Sequence, residues 1–193
     1  MSQEVQFFKT PSIEAFLATN AAQELDRALD ALNAVGPVPE DEAGIAALVG
    51  QLVERFTIRD GPTVDEAALR FRNERNQLLV LELPISGRGE WLAFQVRSLP
   101  PPAFVGQVQL HTEPPAIVLT YKLKDPTKGW EGPVDGDMAM LRTYIGALTA
   151  AIAAFNGMLP AMVEGKIKDL LSYNQVRHDI AAKLAKRGFQ EGS

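Results

Sequence analysis

The fold depends most on residues 135–187, which read DGDMAMLRTYIGALTAAIAAFNGMLPAMVEGKIKDLLSYNQVRHDIAAKLAKR. The apolar residues of this stretch keep one helical phase longer than those of any other part of the chain. Steps of four and three place seven apolar side chains along one side of a helix. This candidate helix interface consists of Leu141, Ile145, Leu148, Ile152, Phe155, Leu159 and Met162. Such a stripe needs burial, either against the chain's own sheet or against a partner helix, and the sequence leaves both arrangements open.

Pro160 lies inside this helical pattern. A proline removes the hydrogen bond to the carbonyl of Asn156 and favours a kink. The apolar phase nevertheless continues undisturbed across it. We therefore predict one bent helix rather than two, with Asp135 or Asp137 capping its N-terminus.

Two amphipathic helices are predicted in the N-terminal third. Thr10-Pro11-Ser12 is typical of a helix start, and apolar residues at helical spacing follow it as far as Gly36-Pro37, with a break near Asn20 left open. The second helix is predicted to begin near Pro39, followed by acidic residues 40–42 that suit a helix N-terminus. Its apolar face would be Ile45, Leu48, Val49, Leu52 and Phe56.

From residue 56 onward the pattern changes from helical spacing to alternation, with turn residues every eight to twelve positions. The turn Ser86-Gly87-Arg88-Gly89 before residues 91–96 indicates a β-hairpin. The clearest half-exposed strand lies at 117–124. The predicted fold class is therefore α+β, with N-terminal helices, an antiparallel sheet of about five strands and a long bent C-terminal helix packed on the sheet or on a partner helix.

The predicted organisation has three parts. Residues 1–133 hold the first helices and the sheet, with a short strand or ordered arm at 1–10. Residues 134–188 form the long helix, which belongs to the same domain or links to a following one. Residues 189–193 are a tail in which Gly192-Ser193 resembles a cloning remnant, and whether the native chain continues past Gln190 is left open.

Composition narrows the possible classes of protein. The chain has 193 residues and no cysteine, which removes disulfides and thiolate chemistry and fits a cytoplasmic protein. Neither a secretory signal nor a membrane span is expected. The net charge of −5 does not favour nucleic-acid binding by this segment, and we expect none.

No catalytic residue, cofactor site or metal site is predicted. The two histidines, His111 and His178, lie on different predicted elements with no metal-ligand spacing. Nothing assembles a nucleophile, a base and an oxyanion site, so we expect no enzyme. The one candidate binding set is Arg70, Arg72 and Arg97, which could bind a small anion such as a nucleotide on the polar face of the sheet, although a solvated face is the ordinary use of such residues.

Several short motifs occur in an order that resembles a known group of proteins. They are Gly89-Glu90-Trp91, Arg97-Ser98-Leu99-Pro100, Pro114-Pro115, Phe155-Asn156 with Leu159, and the basic segment from Lys166 to Leu171. Over about residues 11–187 the chain resembles the N-terminal module of poorly characterised bacterial effector proteins, which precedes TIR or restriction-endonuclease-like domains. The chain has Lys166 and Lys168 where that module carries two arginines.

The resemblance implies a regulatory or oligomerisation module of an antiphage-defence-type effector, without catalysis of its own. Such a module would contact a protein partner, or a second copy of itself, through the long helix. The alternative hypothesis is a domain that senses a small anionic molecule such as a nucleotide. The residues themselves do not choose between the two.

Overall fold

The computed structural model describes residues 10–74, 78–112, 115–123 and 129–187. Within them three α-helices and seven β-strands follow one another, together with two short 3-10 turns at Glu66–Ala68 and Gly89–Ala93. In chain order the elements are β1 (Thr10–Ser12), α1 (Ile13–Val35), α2 (Glu42–Phe56), β2 (Thr63–Val64), β3 (Arg70–Glu74), β4 (Leu78–Ser86), β5 (Phe94–Gln95), β6 (Gln107–Thr112), β7 (Pro115–Lys122) and α3 (Glu131–Ala185). The predicted α+β class is confirmed. The predicted arm at residues 1–10 lies, except for Thr10, outside the described residues.

The first two helices begin at the predicted signals. The Ser12 hydroxyl accepts a hydrogen bond from the Ala15 backbone N–H, and α1 runs without a break past Asn20. The Asp41 carboxylate accepts the Gly44 N–H at 2.9 Å and caps α2. Both caps satisfy N–H groups that have no partner inside the helix.

The main sheet is antiparallel, with β2 and β3 both paired to one edge of β4, followed by β7 and β6. The register places Leu81 opposite Phe71 on one side and Leu119 on the other. Because side chains two residues apart share a face, the odd-numbered residues of β4 form one apolar face with their partners on β7. Val80 and Val118, on the opposite face, are also buried.

The predicted hairpin at residues 86–96 is wrong. Gly87 does turn the chain, with a φ of 79°, but a 3-10 turn follows, and only Phe94–Gln95 is a strand, paired in parallel with β1. Trp91 and Leu92 are both buried although they are adjacent in sequence. A strand points adjacent side chains to opposite faces, whereas a turn can bury both on one side.

Helix α3 is continuous from Glu131 to Ala185, with Pro160 inside it, as the single-helix prediction required. Its start lies earlier than predicted, so neither Asp135 nor Asp137 caps it. Asp137 instead lies in the second turn and is 1% exposed. An early Pro133 is compatible with this start, because the first-turn N–H groups have no helical partner.

The chain divides into two compact units, each built from two segments of sequence. For the described residues, the first unit comprises the chain up to Leu17 and Ile58–Phe155, and the second comprises Ala18–Thr57 and Asn156 onward. Helices α1 and α3 therefore contribute to both units. The sequence had placed the boundary at 133/134 and the whole of α3 in one segment.

The second unit has a helical core of its own. Leu25 and Leu29 of α1, Leu52 of α2, and Val163 and Ile167 of α3 are buried in one cluster. Met162 packs against that cluster. The apolar periods of three helices thus account for this unit, as expected for amphipathic helices that share one core.

The predicted interface stripe of α3 is covered mainly by the chain itself. Leu141, Leu148, Ile152, Phe155 and Leu159 are buried, whereas Ile145 and Met162 are half-buried. The stripe also divides between the two units after Phe155. Little of it is left for a partner helix.

Helix α3 is long and apolar enough, by length and composition alone, to cross a membrane. Of its most apolar 18-residue window, 22% is buried in the structure. Core helices of soluble proteins have the same composition, so one such helix is weak evidence for a membrane span. The sequence had led us to expect none.

Candidate functional site

The first unit contains an apolar cavity of about 510 Å³ between β3, β4 and the start of α3. This volume lies within the usual range for small-molecule sites, roughly 300–1,000 Å³. Of the described lining side chains, eight are apolar and two are charged. The lining residues are Glu66, Leu69, Phe71, Leu79, Leu81, Leu123, Trp130, Val134, Met138 and Arg142.

Local structure explains why these residues converge. On the sheet, Phe71 lies opposite Leu81 in the antiparallel pair, and Leu79 shares their face two residues earlier. On α3, Val134, Met138 and Arg142 are spaced by four residues and therefore lie on one side of the helix. The cavity is the space that these two surfaces leave unfilled.

One wall of the cavity is partly open to solvent. Phe71 is 73% exposed on β3, although it belongs to the apolar face. Leu79, Leu81 and Met138 are buried deeper in the same cavity. A large exposed aromatic side chain next to a buried apolar lining is typical of a binding surface rather than of a closed core.

Within the part of the chain that the structure describes, an ion pair supplies the only charged groups of the lining. Arg142 Nε and Nη2 donate to the two carboxylate oxygens of Glu66 at 2.7 and 2.6 Å, which is a bidentate geometry. The side chains are 58% and 42% exposed, respectively, so this pair lies at the solvent side of the cavity. Its partners are 76 residues apart in sequence.

The backbone holds Glu66 firmly in place. The Asp65 carboxylate accepts the N–H groups of Ala67 and Ala68 at 3.1 and 3.2 Å and so caps the 3-10 turn that carries Glu66. The Asp65 N–H donates to the carbonyl of Pro84 on β4 at 3.1 Å. Glu66 is therefore positioned by the sheet, whereas Arg142 is positioned by α3.

The ion pair shifts the pKa of both partners. The hydrogen bond from Arg142 lowers the pKa of the Glu66 carboxyl below its ordinary value, and the positive charge of Arg142 acts in the same direction, while partial burial opposes both. Glu66 raises the pKa of Arg142, and Asp135 adds to this electrostatically. Both groups are therefore charged at neutral pH.

A second polar cluster lies next to the cavity, around Asp137. Its carboxylate accepts hydrogen bonds from the N–H groups of Val105 and Gly106 at 2.9 and 2.8 Å, and from the Tyr121 hydroxyl at 3.0 Å. Three donors satisfy the buried carboxylate. This cluster attaches the 105–106 loop and β7 to the helix that carries Met138 and Arg142.

Gly106 is required by this arrangement. A Cβ atom placed there would lie 2.8 Å from the Tyr121 ring, closer than side-chain carbons approach one another. Burial of the phenol, followed by its hydrogen bond to Asp137, raises the pKa of Tyr121 well above its ordinary range. The cluster is structural, because its donors and acceptors are all engaged within the protein.

The three predicted anion-binding arginines line neither the 510 Å³ cavity nor the smaller cavity of the second unit. Arg70 and Arg72 are exposed on β3 and share one face, with Arg70 opposite Glu82 in the register. Arg97 is exposed after β5, and its backbone N–H points to the Glu14 carboxylate. No local pattern marks Glu66 as a partner, whereas Arg142 stands out as the one charged residue between Asp137 and Glu164.

A smaller cavity of about 320 Å³ lies in the second unit, at the end of α1 and the C-terminal part of α3. Its lining is more polar and includes Asn33, Asn174, Arg177 and His178. Asn174 donates to Asn33 at 2.9 Å. Among the described residues no group of three metal-ligating side chains is present, and the side chain of His111 lies outside what the structure describes.

The two tryptophans of the chain lie in different surroundings. Trp130 lines the 510 Å³ cavity, whereas Trp91 is buried among Phe16 and Phe94, with ring centroids 6.3 and 6.0 Å away.

Comparison with known proteins gives no match to any family model, curated protein or solved structure. Function must therefore be argued from the cavity itself.

Proposed function

We propose that this chain is a non-enzymatic binding domain that takes a small apolar molecule into the cavity between β3, β4 and α3. The observation that carries the proposal is a cavity of about 510 Å³ with eight apolar lining residues and one ion pair at its solvent side. Apolar pockets with a few placed polar groups are the usual form of small-molecule sites. A binding role fits better than catalysis, because Glu66 and Arg142 are the only charged side chains among the described residues of the lining and each is engaged by the other.

The experiment uses the neutral fluorescent probe N-phenyl-1-naphthylamine. We expect saturable binding to the full chain and quenching of Trp130, which lines the cavity. A ligand at 100 times its dissociation constant adds about 2.7 kcal/mol to the free energy of unfolding. A thermal-shift assay therefore gives a second, independent measurement.

A matched pair of variants locates the binding. Val134 lines the cavity on α3, and Val134→Phe should fill it and weaken probe binding about tenfold or more. Val105 is 71% exposed and does not line the cavity, so Val105→Phe should leave binding unchanged. Equal affinity in both variants, or no saturable binding to the unmodified chain, would contradict the proposed function.

Contact with a protein through the long helix is a second candidate function, favoured by one observation. Four of the large apolar side chains exposed in the structure follow one another on α3: Tyr173, Val176, Ile180 and Leu184. Four basic residues and one acidic residue lie on the same segment, 173–187. This stripe, rather than the buried one at 141–162, would meet a partner with an acidic surface.

The bacterial defence setting implied by the sequence resemblance stays a prediction. In that setting, ligand binding or partner contact would regulate a following effector domain. No comparison supports the resemblance. The proposed binding function does not depend on it.

A further inference from the structure

Arg142 has hydrogen-bonding capacity that its partner does not use. A guanidinium group carries five N–H donors, and Glu66 engages one on Nε and one on Nη2. The second N–H of Nη2 and both N–H groups of Nη1 meet no acceptor among the described residues. Since Arg142 lines the cavity, a bound molecule can supply that acceptor.

The charges around this position decide what kind of acceptor fits. Glu66 already neutralises Arg142, and Asp135 adds a second negative charge that acts on the same guanidinium. A ligand carboxylate or phosphate would bring one more negative charge beside two carboxylates. A ligand cation would meet the guanidinium itself, whose N–H groups can only donate.

The remaining lining limits the rest of the molecule. Trp130 carries one indole N–H donor and Met138 a weakly accepting sulfur. The leucines of the lining and Val134 offer neither donors nor acceptors through their side chains. A polar group buried against them would lose its hydration without compensation. The body of the ligand is therefore largely apolar, with its polar atom at the solvent-side end of the cavity, where Arg142 lies.

We propose that the ligand is an apolar molecule with one neutral oxygen acceptor of the carbonyl type, as in a ketone, ester or amide, which accepts from the free N–H groups of Arg142 while Glu66 stays paired. This inference rests on the proposed function and names the ligand class of the same cavity. It also departs from the anionic ligand that the sequence suggested for Arg70, Arg72 and Arg97. The carbonyl oxygen has two lone pairs, which match two N–H groups of the guanidinium.

The test compares ligands of nearly equal shape on the full chain: 2-ethylnaphthalene, 2-acetylnaphthalene, 2-naphthoate and protonated 2-naphthylmethylamine. Each competes with N-phenyl-1-naphthylamine, and its dissociation constant is measured from the displacement curve. We expect the acetyl compound to bind about fivefold or more tightly than the ethyl compound, because a hydrogen bond to a charged donor adds affinity. The naphthoate and the amine should bind more weakly than the acetyl compound.

Variants show whether Arg142 is responsible. In Arg142→Met the acetyl and ethyl compounds should bind equally well, whereas Arg97→Met, at an exposed arginine outside the cavity, should keep the preference. Glu66→Gln removes one carboxylate and should improve naphthoate binding. The comparison within the unmodified chain remains decisive even if a variant does not fold.

The outcomes separate the two proposals. Equal affinity of the acetyl and ethyl compounds, or a preference that survives Arg142→Met, overturns the ligand class while leaving cavity binding intact. Tightest binding of the naphthoate overturns it in favour of an anion. Failure of every compound and of the probe itself to bind overturns the proposed function as well.

Discussion

Single residues decide how the start of α3 is held, and Asp137 is the most constrained of them. It is 1% exposed and accepts three hydrogen bonds from residues that are 16 to 32 positions away. A buried carboxylate in this state is stable only because its partners replace water. The residue therefore connects a loop, a strand and a helix of the first unit.

We expect Asp137→Ala to lower the free energy of unfolding by about 3 kcal/mol, because it leaves two backbone N–H groups and a phenol without an acceptor. Urea unfolding followed by tryptophan fluorescence measures the loss. The matched control is Asp135→Ala, at an exposed aspartate two residues earlier, which should change stability by no more than about 0.5 kcal/mol. If Asp137→Ala lowered the free energy of unfolding by no more than Asp135→Ala does, the three hydrogen bonds would contribute little to stability.

Tyr121 predicts a loss of stability at alkaline pH. Its hydroxyl ionises near pH 10 in the unfolded chain, whereas burial and the bond to Asp137 keep it protonated in the folded one. Above pH 10 the folded state thus holds more protons, and the free energy of unfolding falls as pH rises. While Tyr121 is ionised in the unfolded chain and protonated in the folded one, it lowers the free energy of unfolding by up to about 1.4 kcal/mol per pH unit.

The measurement is urea unfolding at pH 9, 10 and 11 for the unmodified chain and for Tyr121→Phe. The variant should lose stability less steeply above pH 10, because it has no proton to release. Tyr173→Phe, at a 61% exposed tyrosine, serves as the control and should follow the unmodified chain. Parallel pH curves for all three proteins would refute the expected linkage.

Among the elements, α3 has two apolar stripes that differ in burial. The one at residues 141–162 is mostly buried by the chain, and the one formed by Tyr173, Val176, Ile180 and Leu184 is exposed. Four basic residues flank the exposed stripe, so a second copy would bring like charges together. The same charges would attract an acidic partner.

We therefore expect the chain to be a monomer at micromolar concentration, with no tight dimer through either stripe. Analytical ultracentrifugation at several concentrations measures this directly. Ile180→Lys should change neither the sedimentation coefficient nor, beyond about 0.5 kcal/mol, the stability, since Ile180 is 52% exposed. A micromolar dimer that Ile180→Lys dissociates would instead support self-association through the exposed stripe.

At the scale of the whole molecule, two compact units share α1 and α3. Both tryptophans, Trp91 and Trp130, belong to the first unit, so their fluorescence reports on that unit alone. Ile167 is fully buried in the core of the second unit. The two cores can therefore be followed separately.

We expect Ile167→Ala to destabilise the second unit by about 2–5 kcal/mol, the usual result of a cavity left by a large aliphatic side chain. In urea, part of the loss of helical circular dichroism should then precede the tryptophan transition. The exposed control is Ile180→Ala, which should leave the two signals coincident. Coincident transitions in Ile167→Ala would show that the molecule unfolds as one cooperative unit.

The three helices and the longest strands could be predicted from the sequence alone. The helical periods of α1, α2 and α3 and the alternation in β4 and β7 are local patterns, and local patterns report which side of an element is apolar. The α+β class follows from their order along the chain. The continuity of α3 across Pro160 was also visible, since the apolar phase does not change there.

The position of the cavity and the pairing of the polar groups depend on tertiary packing and could not be predicted from the sequence. The ion pair of Glu66 and Arg142 joins positions 76 residues apart, and Asp137 finds its partners at 105, 106 and 121. Local periodicity does not predict these long-range contacts, because they depend on the register of the sheet and on how α3 packs against it. Trp91 and Leu92 lie in a 3-10 turn where a strand was predicted, and both side chains are buried in the core. Tertiary packing therefore outweighed the local strand propensity at these two residues.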